Sequence, residues 1–341
     1  MICATHAESG LDVIDSGLSP LDDTVPVSFA SFGESNPDRV FYVIYREGRG
    51  AGLFSNVFHV LGHLMLAERM GMTPMVDMRR FPTVYNEREP VNDTWNAWEY
   101  YFAQPAEFSL DDVYRSRHVA FCDGKFRWQV FDNALALAIP AARRFLKVRA
   151  PIREEVEAFY KECFLDKTVL GVHFRGTDMK TAPDHPVCPT LQQMLARTRM
   201  LLNAYPIDAI FLVTEEQAYL DAYSSTFRDM VMHTAAFRTY DINAYHIRPY
   251  PRPLHMYHLG LDALKDTLLL ARADYLLAGG TEGVASGSNI SRMAQVWNAG
   301  RYKHIELIWN GVNPPWTPPS IVARATGKAR LLRKKFFRDV S

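Results

Sequence analysis

The stretch Val169–Asp178, VLGVHFRGTD, runs an apolar segment into a histidine, an arginine and an aspartate. An arginine presents a planar fork of donors that matches a phosphate or a carboxylate through two hydrogen bonds. In open parallel sheets, ligands bind beyond the carboxyl ends of the strands. His173 and Arg175 sit at such an end, and Asp178 can hold the guanidinium or cap the following turn. One reading is therefore an anion site. The other is a structural Arg–Asp pair at a domain seam, and the residue types leave both open. A second constellation lies downstream, in LLLARADYLLAGGTEGVASGSNISRMAQVW. Ser286, Gly287, Ser288 and Asn289 offer small side chains and bare amides where a helix begins, which suits an anion. The same residues cap helices without any ligand. Taken together, the arginine loop and the capped turn describe a pocket for a diphosphate.

These residues need elements to position them. Val40–Tyr45 reads as a strand, followed by a glycine-rich turn, REGRGAGLFSN, over Arg46–Asn56. An apolar run at helical spacing follows, with Gly71 as its C-cap, and then a strand over Pro74–Asp77. Strand, turn, helix, strand is a βαβ opening. A helix over 151–164 starts with proline. A second series then alternates strands at 168–174, 209–214, 231–233, 275–278 and 304–308 with helices at 190–203, 216–227, 262–272 and 290–299. Its strands are continuous apolar runs, as strands covered on both faces require. The expected architecture is α/β, two doubly wound Rossmann-like units divided near residue 166. The expected boundaries are a loose acidic arm over 1–37, an N-terminal unit over 38–166, a C-terminal unit over 167–315 and a basic tail over 316–341.

Composition narrows the class. The chain has 341 residues, enough for two cores. Lys plus Arg number 38 and Asp plus Glu number 38. Such a balance argues against a general nucleic-acid binder, which carries a basic excess. Four dispersed cysteines, Cys3, Cys122, Cys163 and Cys188, form neither a zinc knuckle nor a disulfide framework. No signal peptide and no membrane-spanning run is read, so a reducing, intracellular compartment is expected.

At this point the sequence resembles a family. GVHFRGTD is similar to the H-x-R-x-T-D motif of the GDP-fucose-dependent fucosyltransferase superfamily, which includes α1,6-fucosyltransferases, nodulation fucosyltransferases and protein O-fucosyltransferases. IFLVTEEQAYL, KDTLLLARADYLLAGG with SGSNISRMAQ, and GRGAGLFSNVFHVLGHLMLAERMG resemble three further motifs of that superfamily, in the same order. The resemblance covers about residues 40 to 310 and implies a GT-B fold, two Rossmann-like domains with the sugar donor in the cleft. It implies that Arg175 grips the diphosphate of GDP-fucose, with Ser288 on the same group. It implies that Asp266 accepts from guanine, assisted by the His173 backbone, while Glu215, Glu216 and Asp178 organise the pocket. Asn289, Arg292, Gly52 and Asn56 complete the candidate substrate-binding set. A solvated helix charge is the plain alternative for Asp266.

The activity so implied is inverting transfer of fucose from GDP-fucose to a glycan or glycolipid acceptor, with no metal and no cofactor beyond the donor. The chain contains no D-x-D, which agrees with arginine as the counter-charge. A glutamate of the α1,6-type enzymes falls here on Pro183, so the general base is not matched. Asp184 beside it is the nominee, and a loop-shaping role for Asp184 stays open. Another nucleotide sugar, a silent nucleotide- or glycan-binding module, and a scaffold remain alternatives.

Three features stand outside the motifs. His59 and His63, four apart, lack the glutamate and third ligand of a zinc site. Trp95, Trp98, Tyr100, Tyr101 and Phe102 are either an acceptor-stacking platform or core packing. The tail ATGKARLLRKKFFRDVS interleaves six basic residues with Leu331, Leu332, Phe336 and Phe337. It suits peripheral contact with an anionic membrane, hence the inner face of the cytoplasmic membrane, and equally a solvated basic tail.

Overall fold

The computed structural model describes residues 25–48, 50–126, 135–182, 185–241, 252–280 and 288–314. The N-terminal half builds β1 (Val27–Ala30), β2 (Ser35–Ile44), α1 (Leu53–Arg69), β3 (Thr73–Val76), the single turn α2 (Leu110–Val113), β4 (Ser116–Cys122) and α3 (Leu135–Phe145). Helix α4 (Ala150–Cys163) leads into the second half. There follow β5 (Val169–His173), α5 (Leu191–Ala204), β6 (Ala209–Val213), α6 (Gln217–Phe227), β7 (Val231–Met232), α7 (His255–Leu270), β8 (Tyr275–Gly279), α8 (Asn289–Asn298) and β9 (His304–Ile308). The expected βαβ series is present, and the fold is α/β with two sheets.

The second sheet has the order β7-β6-β5-β8-β9, and every pairing is parallel. The central strands β5, β6 and β8 are apolar along nearly their whole length because both faces are covered. Leu170, Val172, Ile210, Leu212 and Leu277 pack on one side with residues of α5 and α6. Val169, Phe211, Val213, Leu276 and Ala278 pack on the other with α4, α7 and α8. Each such buried side chain contributes roughly 1.5–3 kcal/mol of transfer free energy. Gly171 has a steric reason: a Cβ there would stand 2.6 Å from Leu270 Cδ1. Strand order reverses between β5 and β8, and there a crevice opens beyond the strand ends.

The first sheet has the order β1-β4-β2-β3. β2 pairs in parallel with β3 and β4, whereas β1 lies antiparallel on β4. Residues 25–37 were expected in a loose arm, and the structure corrects this. Val27–Ala30 satisfy the open edge of β4, Val27 packs on the core, and β2 begins at Ser35. Residues 1–24 and the basic tail lie outside the described residues. Among the described residues no helix is long and apolar enough to cross a membrane.

Helix α7 starts at His255, seven residues before the expected Asp262. Gly260 sits inside this helix, where Tyr101 and Tyr85 leave no room for a side chain. The aromatic cluster is core. Trp98, Tyr100, Tyr101 and Phe102 are buried, and only Trp95 is exposed, at 50%. This core also joins the two halves. Leu261 and Leu264 of α7 and Met293 and Val296 of α8 share one cluster with α1 and α3. The Tyr101 hydroxyl donates to the Tyr257 carbonyl at 3.0 Å, and the two rings stack. His59 and His63 are fasteners of the first half: His59 Nε2 meets the Tyr45 carbonyl, and His63 meets the Tyr42 hydroxyl and the Phe126 carbonyl. Among the described residues no group of three side chains could hold a metal ion.

The seam is directly testable. In Gly260→Val the added carbons collide with the Tyr101 hydroxyl and crowd Tyr85, so stability falls by about 1–3 kcal/mol. Calorimetry should show a lowered Tm; an unchanged Tm would mean that the tyrosines do not fix the seam.

Candidate active site: a cleft between the carboxyl ends of two sheets

The cleft is a cavity of about 730 Å³ walled by both halves. Arg175 follows β5 directly, and its Nε lies 3.4 Å from Glu215 Oε1. Glu215 stands just beyond β6, the neighbouring strand, so register alone brings the two together. Glu215 also accepts from the Gly176 N–H at 3.2 Å and the Thr177 hydroxyl at 3.1 Å. Glu216 accepts from the Thr177 N–H at 2.5 Å and from Lys180 Nζ at 2.7 Å. Two carboxylates from one strand end thus shape the turn at the other. Gly176 is required because a Cβ would strike the Glu216 carboxylate. Thr177 is held at φ 51°, a left-handed conformation that β-branched residues adopt only under constraint. Burial alone would raise the Glu215 carboxyl, but Arg175, His173 and the Gly176 amide outweigh it and hold it below the usual range.

His173, the last residue of β5, is buried with both ring nitrogens lacking a hydrogen-bond partner among the described residues. Burial lowers it to about 4, against the upward pull of Glu215 and with a smaller downward push from the Arg175 charge. It is a neutral imidazole at pH 7, facing the cavity with donor and acceptor unspent. Such a group is costly unless a ligand completes it.

Helix α7 supplies the opposite wall. Asp266 is buried, accepts from the Thr234 hydroxyl at 2.5 Å and lines the cavity. Desolvation pushes it up to about 6, partly offset by Thr234 and Arg238. It is not the solvated helix charge that its sequence position allows. One turn earlier, Asp262 accepts from the Phe237 N–H at 3.1 Å and lies 3.6 Å from Arg252. Phe237 joins the wall beside them.

Two helices begin at the cavity. Ser288 caps α8, its hydroxyl accepting from the Ile290 N–H, and both Ser288 and Asn289 line the space. Gly52 caps α1 without a side chain, and a Cβ on Gly50 or Gly52 would meet nothing within 4 Å. The Leu53 N–H donates to the Tyr85 hydroxyl at 2.8 Å. Desolvation raises that phenol to about 12, so it stays neutral. Arg46, just past β2, lines the cavity and donates to Ser55 Oγ at 2.9 Å and Asn56 Oδ1 at 3.2 Å.

The structure therefore brings Arg175, His173, Glu215, Asp266, Ser288, Asn289 and Gly52 to one cavity. Two candidates are corrected. Asn56 does not line the cavity; its amide is spent on the Ala51 carbonyl and on Arg46, which makes it a positioning residue. Arg292 lies behind the wall, donating to Asn289 Oδ1 at 3.4 Å and covering the Phe58 ring. Asp184, the side chain of Asp178, and Ser286 and Gly287 lie outside the described residues. Sequence reasoning missed Arg46, Tyr85, Phe237 and His185 as cavity residues. Arg46 carried a signal, a guanidinium between a strand and a glycine turn, and His185 directly follows the nominated Asp184.

No protein-family model matches the chain. Nodulation protein Z of Bradyrhizobium diazoefficiens is 26% identical over 185 residues, 49% of this chain and 46% of that protein. The chain thus matches about half the length of this relative. A crystal structure of fucosyltransferase NodZ from Bradyrhizobium aligns at 19% identity and a TM-score of 0.47, covering 75% of this chain and 93% of that one. A crystal structure of POFUT1 in complex with GDP aligns at 9% identity and a TM-score of 0.47, covering 80% and 98%. The order of the motifs and the nodulation relative point the same way, and the chain resembles the GDP-fucose-dependent fucosyltransferases.

Proposed function

We propose that this chain is a glycosyltransferase that takes GDP-fucose as donor and transfers the fucosyl group, with inversion and without a metal ion, to a glycan or glycolipid acceptor. One observation carries the reading: a single cavity joins a buried carboxylate, Asp266, to an anion-binding end built from Arg175 and the first turns of α1 and α8. Guanine presents N1–H and N2–H₂ side by side, a pair that an ionised carboxylate accepts together. Arg175 and the helix-terminal amides stabilise the charge that develops on the departing diphosphate, the task a metal performs elsewhere. The anomeric carbon passes through an oxocarbenium-like state, and the acceptor oxygen attacks from the face opposite GDP. The acceptor reaches this point along the N-terminal half.

Calorimetric titration with GDP, UDP and dTDP, in EDTA, tests the donor end. GDP should bind selectively, and Arg175→Ala should weaken it at least tenfold, the scale of a lost charged hydrogen bond. Binding of none of the three would overturn the reading. Tight GDP binding without release of GDP from GDP-fucose would favour a silent binding module.

Asp266 links recognition to stability. Its carboxyl sits at about 6 in the fold against 3.8 for the free side chain, so the fold favours the protonated form. That advantage is complete at low pH and is lost as pH rises through about 6. In the absence of nucleotide, Asp266→Asn should therefore be more stable than the parent at pH 7.5, by about 1–3 kcal/mol. The gap should close near pH 4, while selectivity for GDP is lost. Urea denaturation at the two pH values measures it, and a destabilised variant at pH 7.5 would contradict the assignment.

A further inference from the structure

The transfer needs a group that accepts the proton of the attacking hydroxyl, and the cavity wall narrows the choice. Glu215 is committed to Arg175, the Gly176 amide and the Thr177 hydroxyl, and its carboxyl is held low by them. Asp266 and Asp262 sit on α7, bound to Thr234 and to the Phe237 amide respectively. His173 is buried where a positive charge is poorly tolerated. The Cys188 thiol is pushed up to about 11, chiefly by burial, so it offers little thiolate. Glu47 lies on the opposite half, paired with Lys125 at 3.2 Å.

His185 differs from all of these. It is exposed, on the cavity rim, in the loop that follows Arg175. That loop is stapled to the segment beyond β9. The Asn313 N–H donates to the His185 carbonyl at 2.8 Å, and the Val187 N–H donates to the Gly311 carbonyl at 2.9 Å. Asn313 Nδ2 donates to the Ala182 carbonyl at 3.0 Å, and Gln193 and Asn310 exchange amide hydrogen bonds. Four residues further on, Pro189 packs against Gly279 at the end of β8. With its backbone stapled at the cavity rim, His185 can present an imidazole there, a group suited to proton abstraction.

We propose that His185 is the general base of the transfer and touches the acceptor hydroxyl. The inference rests on the GDP-fucose reading above. The acceptor oxygen bonds to the anomeric carbon as the bond from that carbon to the β-phosphate oxygen breaks. That electron pair leaves with GDP, and the hydroxyl proton passes to the imidazole and then to solvent. With water as acceptor, the step is hydrolysis of GDP-fucose, which serves as the probe.

GDP release from GDP-fucose by the full chain should fall at least 100-fold in kcat in His185→Ala, on the scale of general-base catalysis, with KM and GDP affinity within twofold of the parent. Added imidazole should restore part of the rate, which a merely structural histidine would not allow. Three results would overturn the assignment. They are hydrolysis by His185→Ala within threefold of the parent, a loss reproduced by Glu47→Gln or Asp184→Asn rather than by His185→Ala, and a loss that imidazole does not rescue and that weakens GDP binding. A parent chain that binds GDP but releases none from GDP-fucose also removes His185 as a base for water. A parent chain that does not bind GDP removes the donor reading itself.

Discussion

The cleft depends on the ion pair between Arg175 and Glu215. One partner ends β5 and the other ends β6, and parallel register sets His173 opposite Val213, so the residues that follow meet. Removing Arg175 would leave the buried Glu215 carboxylate without its nearest counter-charge, at a cost in stability. The same carboxylate orders the Gly176–Thr177 turn, and Glu216 fixes the turn from its other side. Turn geometry, arginine position and strand register are therefore a single constraint. The guanidinium at the end of a buried strand thus has a carboxylate partner on the next strand.

The site is held in a state that folding alone would not choose. His173 is buried with both nitrogens unmet among the described residues, Asp266 is desolvated on α7, and Thr177 is held in a left-handed conformation. Each costs on the order of 1–3 kcal/mol. Three such features around one cavity are what a preorganised polar site requires, because its donors and acceptors await a ligand. The stability that offsets them comes from the sheets and the seam. Every position of β5 and β6 is buried, and one apolar cluster spans the helices of both halves. With α7 and α8 packed on α1 and α3, the wall bearing Asp266 and the turn bearing Gly52 stand on one shared core.

The C-terminal half was the more legible in sequence. Its central strands are nearly continuous apolar runs, and β9 at His304–Ile308 coincides with its expected bounds. The N-terminal half was less so. β1 is a short edge strand whose pairing with β4 lies some 90 residues away, and no local pattern announces that partner. Helix α7 begins seven residues before its expected start, and the tyrosine packed on its Gly260, Tyr101, is far along the chain. Among the site residues, those at strand and helix ends were readable because ends are where chemistry collects. Arg292 and Asn56 lie on the same helices as cavity residues but face away from the space, and a residue's face within a first helical turn depends on packing.

By itself the sequence determined the alternation of strand and helix, the two-unit plan and the ends at which polar residues gather, since periodicity and turn chemistry are local. Which polar groups meet was decided only by the tertiary structure. Strand register joins Arg175 to Glu215, helix packing desolvates Asp266, and a distant segment beyond β9 pins His185 to the rim. Those pairings cross long stretches of chain, and the burial that sets their protonation exists only once the halves have closed on a common core.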